Sequence, residues 1–343
     1  MLTSVLQHAP GAGRPEPRPA PVASKGPGVP EYPSAPSNRP STMSQMVGQA
    51  SLIEQVKTML RGAILRGVPP CHILLDGPPG YGKTSLAQVV AKQLGTELHT
   101  LSGPMLRKAQ DLTGVLLRLS VGDVVFIDEC HAAARPVLEV LYGALEDRAV
   151  PLLLGSGADA RAHVARLPMF VCVSATTDPG KLPEPYRARH GLRLTMSPYT
   201  VLELAQVVSN AWTRQEAVFA PSEALAVAQR CKGTPRIALH LAERVLDFCA
   251  CIGCDVIEGT AAAALTSFGI DEHGWDAVDY RILIALTGAF AGRTVGIEAL
   301  SQAVGLERST LETREAALAQ AGLICRTSRG RMALSPAYDL VRG

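Results

Sequence analysis

The feature that most restricts the fold is GPPGYGKT at residues 77–84, which fits the pattern G-x-x-x-x-G-K-[ST]. It lies between HILLD, typical of a buried strand, and TSLAQVVAKQLG, which repeats apolar residues at helical spacing. Gly80 and Gly82 let backbone N–H groups turn inward around phosphate oxygens, and the following helix N-terminus adds partial positive charge. A turn that merely joins strand to helix is the alternative. The complete strand–loop–helix context favours a phosphate loop.

The residues that follow these glycines predict the ligand of the loop. Lys83 is expected to reach the β- and γ-phosphates of a nucleotide, and the Thr84 hydroxyl is expected to ligate Mg²⁺. ATP and Mg²⁺ are therefore the predicted cofactors.

A second apolar run, VVFID in GDVVFIDECH, ends in Asp128 and Glu129. An aspartate at such a strand end can organise the Mg²⁺ shell, and the adjacent glutamate can polarise water for attack on the γ-phosphate. His131 is interpreted as a polar strand-exit residue rather than a metal ligand. A third strand, MFVCVSATT, ends in Thr176 and Thr177, where a hydroxyl can sense the γ-phosphate, and we assign this role to Thr176.

Composition limits the class of protein. The chain has 343 residues, 47% of them hydrophobic, and a net charge of +2, which is too small to indicate nucleic-acid binding without a local basic cluster. No apolar run approaches the roughly 18 residues of a membrane span, and the eight cysteines suggest reduced thiols of a cytoplasmic protein. Residues 1–38 are rich in proline and lack apolar periodicity, so we predict a disordered tail.

The sequence after residue 196 predicts helices followed by a basic hairpin. Residues 197 to about 268 are helical in pattern, and a zinc site at Cys249, Cys251 and Cys254 is disfavoured because positions 249 and 251 point to different sides of a helix. From Trp275 onward, three helical stretches precede LICRTSRGRMALS, which predicts a winged helix with its wing at residues 328–330. Its predicted contacts to DNA phosphates are Arg308, Arg326, Arg329 and Arg331. A winged helix can also dock proteins.

The order of these segments resembles the AAA+ ATPases, and more closely the RuvB family of Holliday-junction branch-migration motors. The resemblance runs from Arg39 to about Tyr338 and rests on HILLDGPPGYGKTSLA, GDVVFIDECH, EVLYGALED, SATT, RARHG, KGTPRIA and RTSRGRMA. It implies an α/β fold with four parts: residues 1–38 as tail, a parallel-sheet ATPase domain with an inserted β-hairpin at 39–196, a helical lid at 197–271 and a winged helix at 272–343.

The resemblance also implies roles for individual residues. Those expected beside the nucleotide are Asn38, Arg39, Gly80, Gly82, Lys83, Thr84, Ser85, Tyr199, Arg236 and the segment Glu146, Asp147 and Arg148. Arg236 of GTPRIA matches the lid arginine that contacts the γ-phosphate. Arg189, the second arginine of RARHG, matches the arginine finger that reaches into the neighbouring subunit's site.

The implied assembly is a homohexameric ring that pulls double-stranded DNA through a four-way junction. Residues 148–168 resemble the hairpin that docks a RuvA-type junction-binding protein, and Leu152–Leu154 are expected to be exposed there, although an ordinary core hairpin is an alternative. Asp178, Ala132, Ala133 and Ser328 depart from the family pattern. A second interpretation is therefore a nucleotide-controlled AAA+ remodeller or clamp-loader-like adaptor that acts on another DNA structure or on a protein.

Overall fold

The computed structural model describes residues 38–154 and 161–342, and for residues 153, 154, 161 and 162 it describes the backbone only. The predicted disordered tail therefore lies outside the described residues except for Asn38, and so does the tip of the predicted hairpin.

The centre of the ATPase domain is a five-stranded sheet in which every pair of neighbours is parallel. Its strands stand in the order β2-β3-β6-β1-β7, and their bounds are β1 Ile73–Asp76, β2 Leu98–Ser102, β3 Val124–Asp128, β6 Val171–Thr176 and β7 Leu192–Thr195. The central strands β1, β3 and β6 are buried on both faces because helices cover the sheet on each side. These three are the strands that the apolar runs predict.

Five helices accompany the sheet, and two separate apolar cores fill the space between them and its two faces. The helices are α1 Ala50–Arg66, α2 Lys83–Leu94, α3 Ala109–Leu116, α4 Arg135–Glu146 and α5 Glu184–Ala188. Helix α2 starts directly at Lys83, since Gly82 takes the left-handed φ of 98° that ends the phosphate loop. The predicted strand–loop–helix unit is thereby confirmed.

An antiparallel hairpin stands apart from the sheet, with β4 Ala149–Leu154 paired to β5 Arg161–Arg166. The structure corrects the expectation that Leu152 is exposed, because this side chain is half-buried and packs against the core beside α4. On the opposite strand, Val164 is 60% exposed. The outward apolar surface of the described hairpin therefore includes Val164 and not Leu152.

The lid is built from four helices, and their buried faces form one core around Trp212. They are α6 Val201–Arg214, α7 Pro221–Gln229, α8 Pro235–Ile252 and α9 Thr260–Ser267. Helix α6 begins with a capping box in which the Thr200 hydroxyl accepts the Glu203 N–H and the Glu203 carboxylate accepts the Thr200 N–H.

The last part is the predicted winged helix, with a core of its own. Its elements are α10 Ala277–Thr287, α11 Ile297–Val304, α12 Arg308–Gln320, β8 Ile324–Thr327, β9 Gly330–Ala333 and a final helix, α13 Ser335–Arg342. Strands β8 and β9 pair antiparallel with Thr327 opposite Gly330, which confirms the wing turn. None of the helices that the structure describes is long and apolar enough to cross a membrane.

Candidate nucleotide-binding site

The carboxyl ends of the central strands bring the predicted phosphate and acidic residues to one edge of the sheet. Asp76 at the end of β1 stands opposite Thr176 of β6, and Asp128 ends β3 beside it. The phosphate loop leaves β1 at this edge. In open parallel sheets ligands bind outside the carboxyl ends of the strands, so this edge is the expected nucleotide site.

The phosphate loop packs directly beneath the start of the lid helix α8. Gly80 has a φ of +82°, and a Cβ added there would lie 2.9 Å from side-chain atoms of both Thr234 and Arg236. A side chain at position 80 would therefore push the lid away from the loop. The structure thus brings Arg236, predicted from the GTPRIA motif, against the phosphate loop.

Lys83 is folded back onto the loop. Its Nζ donates to the carbonyl oxygens of Gly77 at 2.7 Å and Pro78 at 3.0 Å, and the residue is only 6% exposed. Burial lowers the pKa of Lys83, and the nearby carboxylates of Glu129 and Asp128 oppose that shift. A buried ammonium pointed at carbonyl oxygens can exchange these partners for phosphate oxygens when nucleotide enters. Thr84 and Ser85 follow in the first turn of α2.

Tyr199 connects the loop to the lid. Its hydroxyl donates to the Tyr81 carbonyl at 3.0 Å, and the two rings meet edge to face at 5.6 Å. Burial raises the pKa of Tyr199 to about 12, which keeps the hydroxyl protonated and able to donate. At the same end of the domain, the Asn38 amide donates to Glu243 of α8 at 3.2 Å, and exposed Arg39 follows it. Both predicted flanking segments therefore reach the lid.

Glu129 is held at the strand end by a threonine that differs from the predicted one. Its Oε2 accepts from the Thr177 hydroxyl at 2.8 Å and from the Thr177 N–H at 3.2 Å. The structure gives no support to the sensing role expected of Thr176, because Thr176 is fully buried and its hydroxyl contacts His131 at 2.9 Å and accepts the Asp178 N–H at 3.0 Å. Thr177 is the threonine whose hydroxyl contacts Glu129.

The donors at this edge suit a Mg²⁺ ion. Asp128 is half-buried and its Oδ1 accepts the Glu129 N–H at 3.1 Å, which orients the carboxylate. Oxygen ligands from one or two protein groups, completed by water and nucleotide phosphates, are what Mg²⁺ prefers. Asp128 and Thr84 are the groups that would supply them.

One further group of potential metal ligands occurs in the described part of the chain. The one cluster of at least three such groups found there comprises Glu97, His99 and Asp123, but the Asp123 carboxylate already accepts backbone N–H groups and contacts the His99 ring at 3.1 Å. In α8, Cys249 is buried whereas Cys251 is exposed, as helical geometry predicts.

Arg189 lies on the α4 side of the sheet together with another predicted nucleotide segment. Its guanidinium pairs with Glu146, stacks 4.8 Å above the Tyr142 ring and donates to the Pro185 carbonyl at 2.6 Å. Asp147 and Arg148 follow Glu146 at the end of α4. The structure therefore brings Glu146, the first residue of this segment, into contact with Arg189. The neighbouring Arg187 pairs instead with Glu184 at 2.6 Å.

A buried polar cluster fixes the loop that carries Arg189. The next residue, His190, is 3% exposed, and its ring contacts the Ser174 hydroxyl at 2.9 Å and the Tyr186 carbonyl at 2.9 Å. Burial lowers the pKa of His190 to about 4, so the ring is neutral at pH 7. Sequence reasoning missed this anchor, because the resemblance carried by RARHG assigns a role only to Arg189, and a histidine next to two arginines gives no local sign that it is buried.

The four predicted DNA-contacting arginines have different environments. Arg331 is bound through Nε and Nη2 to the fully buried carboxylate of Glu315, which Arg326 also contacts at 3.1 Å. Arg308 is exposed at the start of α12, and Arg329 is exposed in the wing turn. The structure therefore gives Arg331 a folding role in the wing. Arg308 is exposed but pairs with Glu312 at 2.8 Å and with Glu298 at 3.2 Å, so Arg329 is the one of these four cations most open to a ligand.

Comparison with known families matches nearly the whole described chain. The P-loop domain of "Holliday junction DNA helicase RuvB" matches residues 38–196, the RuvB AAA lid domain matches 199–271, and the RuvB C-terminal winged helix domain matches 272–342. These bounds differ from the predicted domain limits by at most a few residues.

The individual proteins that this chain resembles are also described as RuvB. The chain is 42% identical over 305 residues to "Holliday junction branch migration complex subunit RuvB" of Corynebacterium aurimucosum, covering 88% of this chain and 84% of that one. It is 42% identical over 302 residues to the protein of the same description from Parafrankia sp., covering 88% and 86%. The solved structure of the Thermotoga maritima RuvB Holliday junction branch migration motor is 36% identical with a TM-score of 0.79, and the match covers 89% of this chain and 98% of that one. This chain therefore belongs to the RuvB family of AAA+ P-loop ATPases.

Proposed function

We propose that this protein is the ATP-driven subunit of a Holliday-junction branch-migration complex, acting in homologous recombination and DNA repair. The observation that carries the proposal is the contact of Gly80 with Thr234 and Arg236, which joins the phosphate loop to the lid arginine in one nucleotide site. The relatives described as branch-migration complex subunits extend over the same lid and winged helix.

Each step of ATP hydrolysis has a residue in this site. Lys83 and the loop N–H groups bind the β- and γ-phosphates, and Arg236 contacts the γ-phosphate from the lid. Mg²⁺ held by Thr84 and Asp128 would neutralise charge on the phosphates. Glu129 orients and polarises the attacking water, and Thr177 positions Glu129 through the hydrogen bonds described above.

The Arg189 finger serves the site of a neighbouring subunit in a homohexameric ring. Glu146 and Tyr142 keep its guanidinium ordered on the surface of α4. A finger of this type stabilises charge on the transferring phosphoryl group, so hydrolysis requires assembly. We accordingly assign residues 146–148 to the same intersubunit face.

The winged helix binds duplex DNA through its exposed arginines, Arg308 and Arg329, with Arg326 beside them. Contacts to phosphates carry no sequence information, which suits a motor that moves along any duplex. Helicase activity here means translocation of duplex arms through a four-way junction.

A RuvA-type junction-binding protein docks on the hairpin within residues 148–168. Val164, which is 60% exposed, supports this assignment more than Leu152 does. Val164→Ser should therefore spare basal ATP hydrolysis and abolish its stimulation by the partner, as measured by phosphate release. Stimulation that survives would move docking elsewhere. The eight cysteines are free, which is consistent with action in the cytoplasm.

The nucleotide part of the proposal is tested with two variants. Lys83→Ala should abolish ATP binding, whereas Glu129→Gln should bind ATP with near-parent affinity and fail to turn it over. Equilibrium binding of a fluorescent ATP analogue and phosphate release distinguish these outcomes. Equal ATP affinity in Lys83→Ala and in the parent would remove the basis of the proposal.

A further inference from the structure

The loop between α7 and α8 contacts both the nucleotide site and the winged helix. Thr234 at its C-terminal end and Arg236 in the first turn of α8 pack on Gly80 of the phosphate loop, as described above. Two residues before Thr234, Lys232 points the other way and binds Asp279 in the first turn of α10. One short segment therefore joins the lid arginine to the DNA-binding domain.

The contact between Lys232 and Asp279 is buried. Lys232 Nζ lies 2.5 Å from Asp279 Oδ2, and the side chains are 9% and 0% exposed. The ammonium also lies 4.9 Å above the centre of the Trp275 ring, which adds a cation–π contact. A buried charge is tolerated only when it is paired, so Lys232 and Asp279 stay together as long as both are shielded from water.

Asp279 is fixed by further partners within its own domain. Arg314 Nη1 lies 3.2 Å from its Oδ1, and the Asp276 N–H donates to its Oδ2 at 3.1 Å as part of the α10 capping box. The carboxylate therefore cannot follow Lys232 if the loop moves. Instead, it holds the loop in position.

Close backbone contacts also hold the loop between α7 and α8 against the winged-helix domain. A Cβ on Gly274 would lie 2.2 Å from the Arg230 carbonyl oxygen, so only glycine permits this approach. Arg230 Nε donates to the Asp271 carbonyl at 3.2 Å, and Gly233 faces the Gln320 amide. Lys232 itself has a left-handed φ of 53°, an unfavourable conformation for lysine that this packing maintains.

We infer that the winged-helix domain positions the γ-phosphate arginine: Asp279, through Lys232, holds the loop that places Arg236 over the phosphate loop. Lys232 and Asp279 are thus positioning residues for ATP hydrolysis, although neither contacts nucleotide. The inference rests on the proposed role of Arg236. Its consequence is that a displacement of the winged helix by DNA is passed to Arg236, and a change at the γ-phosphate is passed back, since coupling between sites is reciprocal.

The test is a double-mutant cycle in the full-length protein without DNA. Lys232→Met keeps an apolar stem over Trp275 and removes the charge. We expect it to lower kcat for ATP by roughly 10- to 100-fold, the range for a misplaced catalytic group, with KM nearly unchanged. In an Arg236→Ala background the same change should alter single-turnover hydrolysis of radiolabelled ATP by less than about twofold, since the two residues act as one unit. Lys232→Arg should restore most of the loss.

Control variants separate this role from general stability. Lys57→Met makes the same chemical change at an exposed pair with Glu54 on α1 and should leave kcat at the parent value. Lys232→Gln, which can still hydrogen-bond to Asp279, replaces Lys232→Met if circular dichroism shows the latter to be unfolded. Its kcat should also fall.

The outcomes distinguish the inference from the function on which it rests. If Arg236→Ala turns over ATP like the parent, the proposed role of Arg236 fails, and the inference with it. If Arg236→Ala is impaired but the folded Lys232 variant has the kcat of the parent, the inference alone is overturned. It is also overturned if the fold-loss of the double variant equals the product of the fold-losses of the two single variants. A loss in Lys232→Met that disappears in the Arg236→Ala background and is rescued by Lys232→Arg supports it.

Discussion

Replacing Arg189 with alanine should remove the finger while leaving the subunit's own nucleotide site intact. The Arg189 side chain is 24% exposed and its guanidinium is fixed by Glu146, Tyr142 and the Pro185 carbonyl, so it is ordered before it meets a ligand. An arginine finger contributes roughly 10³–10⁵ in rate, which corresponds to about 4–7 kcal/mol of transition-state stabilisation. We expect kcat to fall by that factor and ATP affinity to stay close to that of the parent.

The decisive assay mixes two inactive proteins. Arg189→Ala retains its own Glu129, and Glu129→Gln retains its own Arg189. In rings assembled from equal amounts, about one quarter of all subunit interfaces should pair an intact Glu129 with a neighbour's intact Arg189. Phosphate release should therefore reappear once subunits exchange, which crosslinking of labelled subunits verifies. Verified mixed rings without activity would refute the assignment of Arg189 to the neighbouring site.

A third variant tests whether Glu146 serves the same face as Arg189. Glu146→Ala mixed with Glu129→Gln should regain activity, because intact Glu146 and Arg189 then come from one subunit. Glu146→Ala mixed with Arg189→Ala should stay inactive, since neither subunit offers a complete finger face. Recovery in the second mixture would place Glu146 at its own subunit's nucleotide.

Three further outcomes are expected. Thr177→Val should lower kcat by about 10-fold or more at unchanged ATP affinity, since it loses the hydrogen bond that orients Glu129, whereas Thr176→Val should act mainly on the melting temperature. Arg329→Ala should reduce the log–log salt slope of duplex binding by about one unit, while Arg331→Ala should destabilise the winged helix, as followed by thermal unfolding. His190 has a folded pKa of about 4 against an ordinary 6.5, so its stabilising effect is present above pH 6.5 and is lost as the pH falls towards 4. The pH dependence of the free energy of unfolding should be flatter in His190→Gln across that interval.

The parts of the site that could be predicted from sequence are those encoded by contiguous motifs. The phosphate loop, the acidic end of β3 and the wing each lie within a short stretch, where local spacing largely determines local geometry. The resemblance to a family then added Arg189 and Arg236, which no local pattern identifies.

What sequence could not supply depends on register and on contacts between distant residues. An alternation of apolar and polar residues cannot distinguish Thr176 from Thr177, because β6 is buried on both faces. The sequence therefore does not show which of the two threonine side chains points towards the nucleotide site. The edge strand β7 has one buried side chain, Leu194, and therefore lacks the apolar run that revealed β1, β3 and β6. Helix α13 was missed because it is short and follows the wing directly.

Charged pairs were the least predictable feature. From the sequence, Arg331 is expected to be a solvent-facing cation on a hairpin. In the structure it pairs with Glu315, which lies on α12 and is completely buried. Lys232 and Asp279 are 47 residues apart and belong to different domains. Such pairs form where packed elements happen to bring two charges together, so only the tertiary structure distinguishes them from solvated surface residues.

The central claim is that ATP hydrolysis at this site moves DNA through a four-way junction. The direct measurement follows a synthetic junction with one fluorescent arm in the presence of a RuvA-type protein and ATP, with Glu129→Gln as the matched inactive control. We expect duplex products to accumulate with the parent protein and ATP, and with neither Glu129→Gln nor a non-hydrolysable ATP analogue. Full ATP turnover without any junction conversion, with and without the partner, would contradict the claim and favour a remodeller that acts on another substrate.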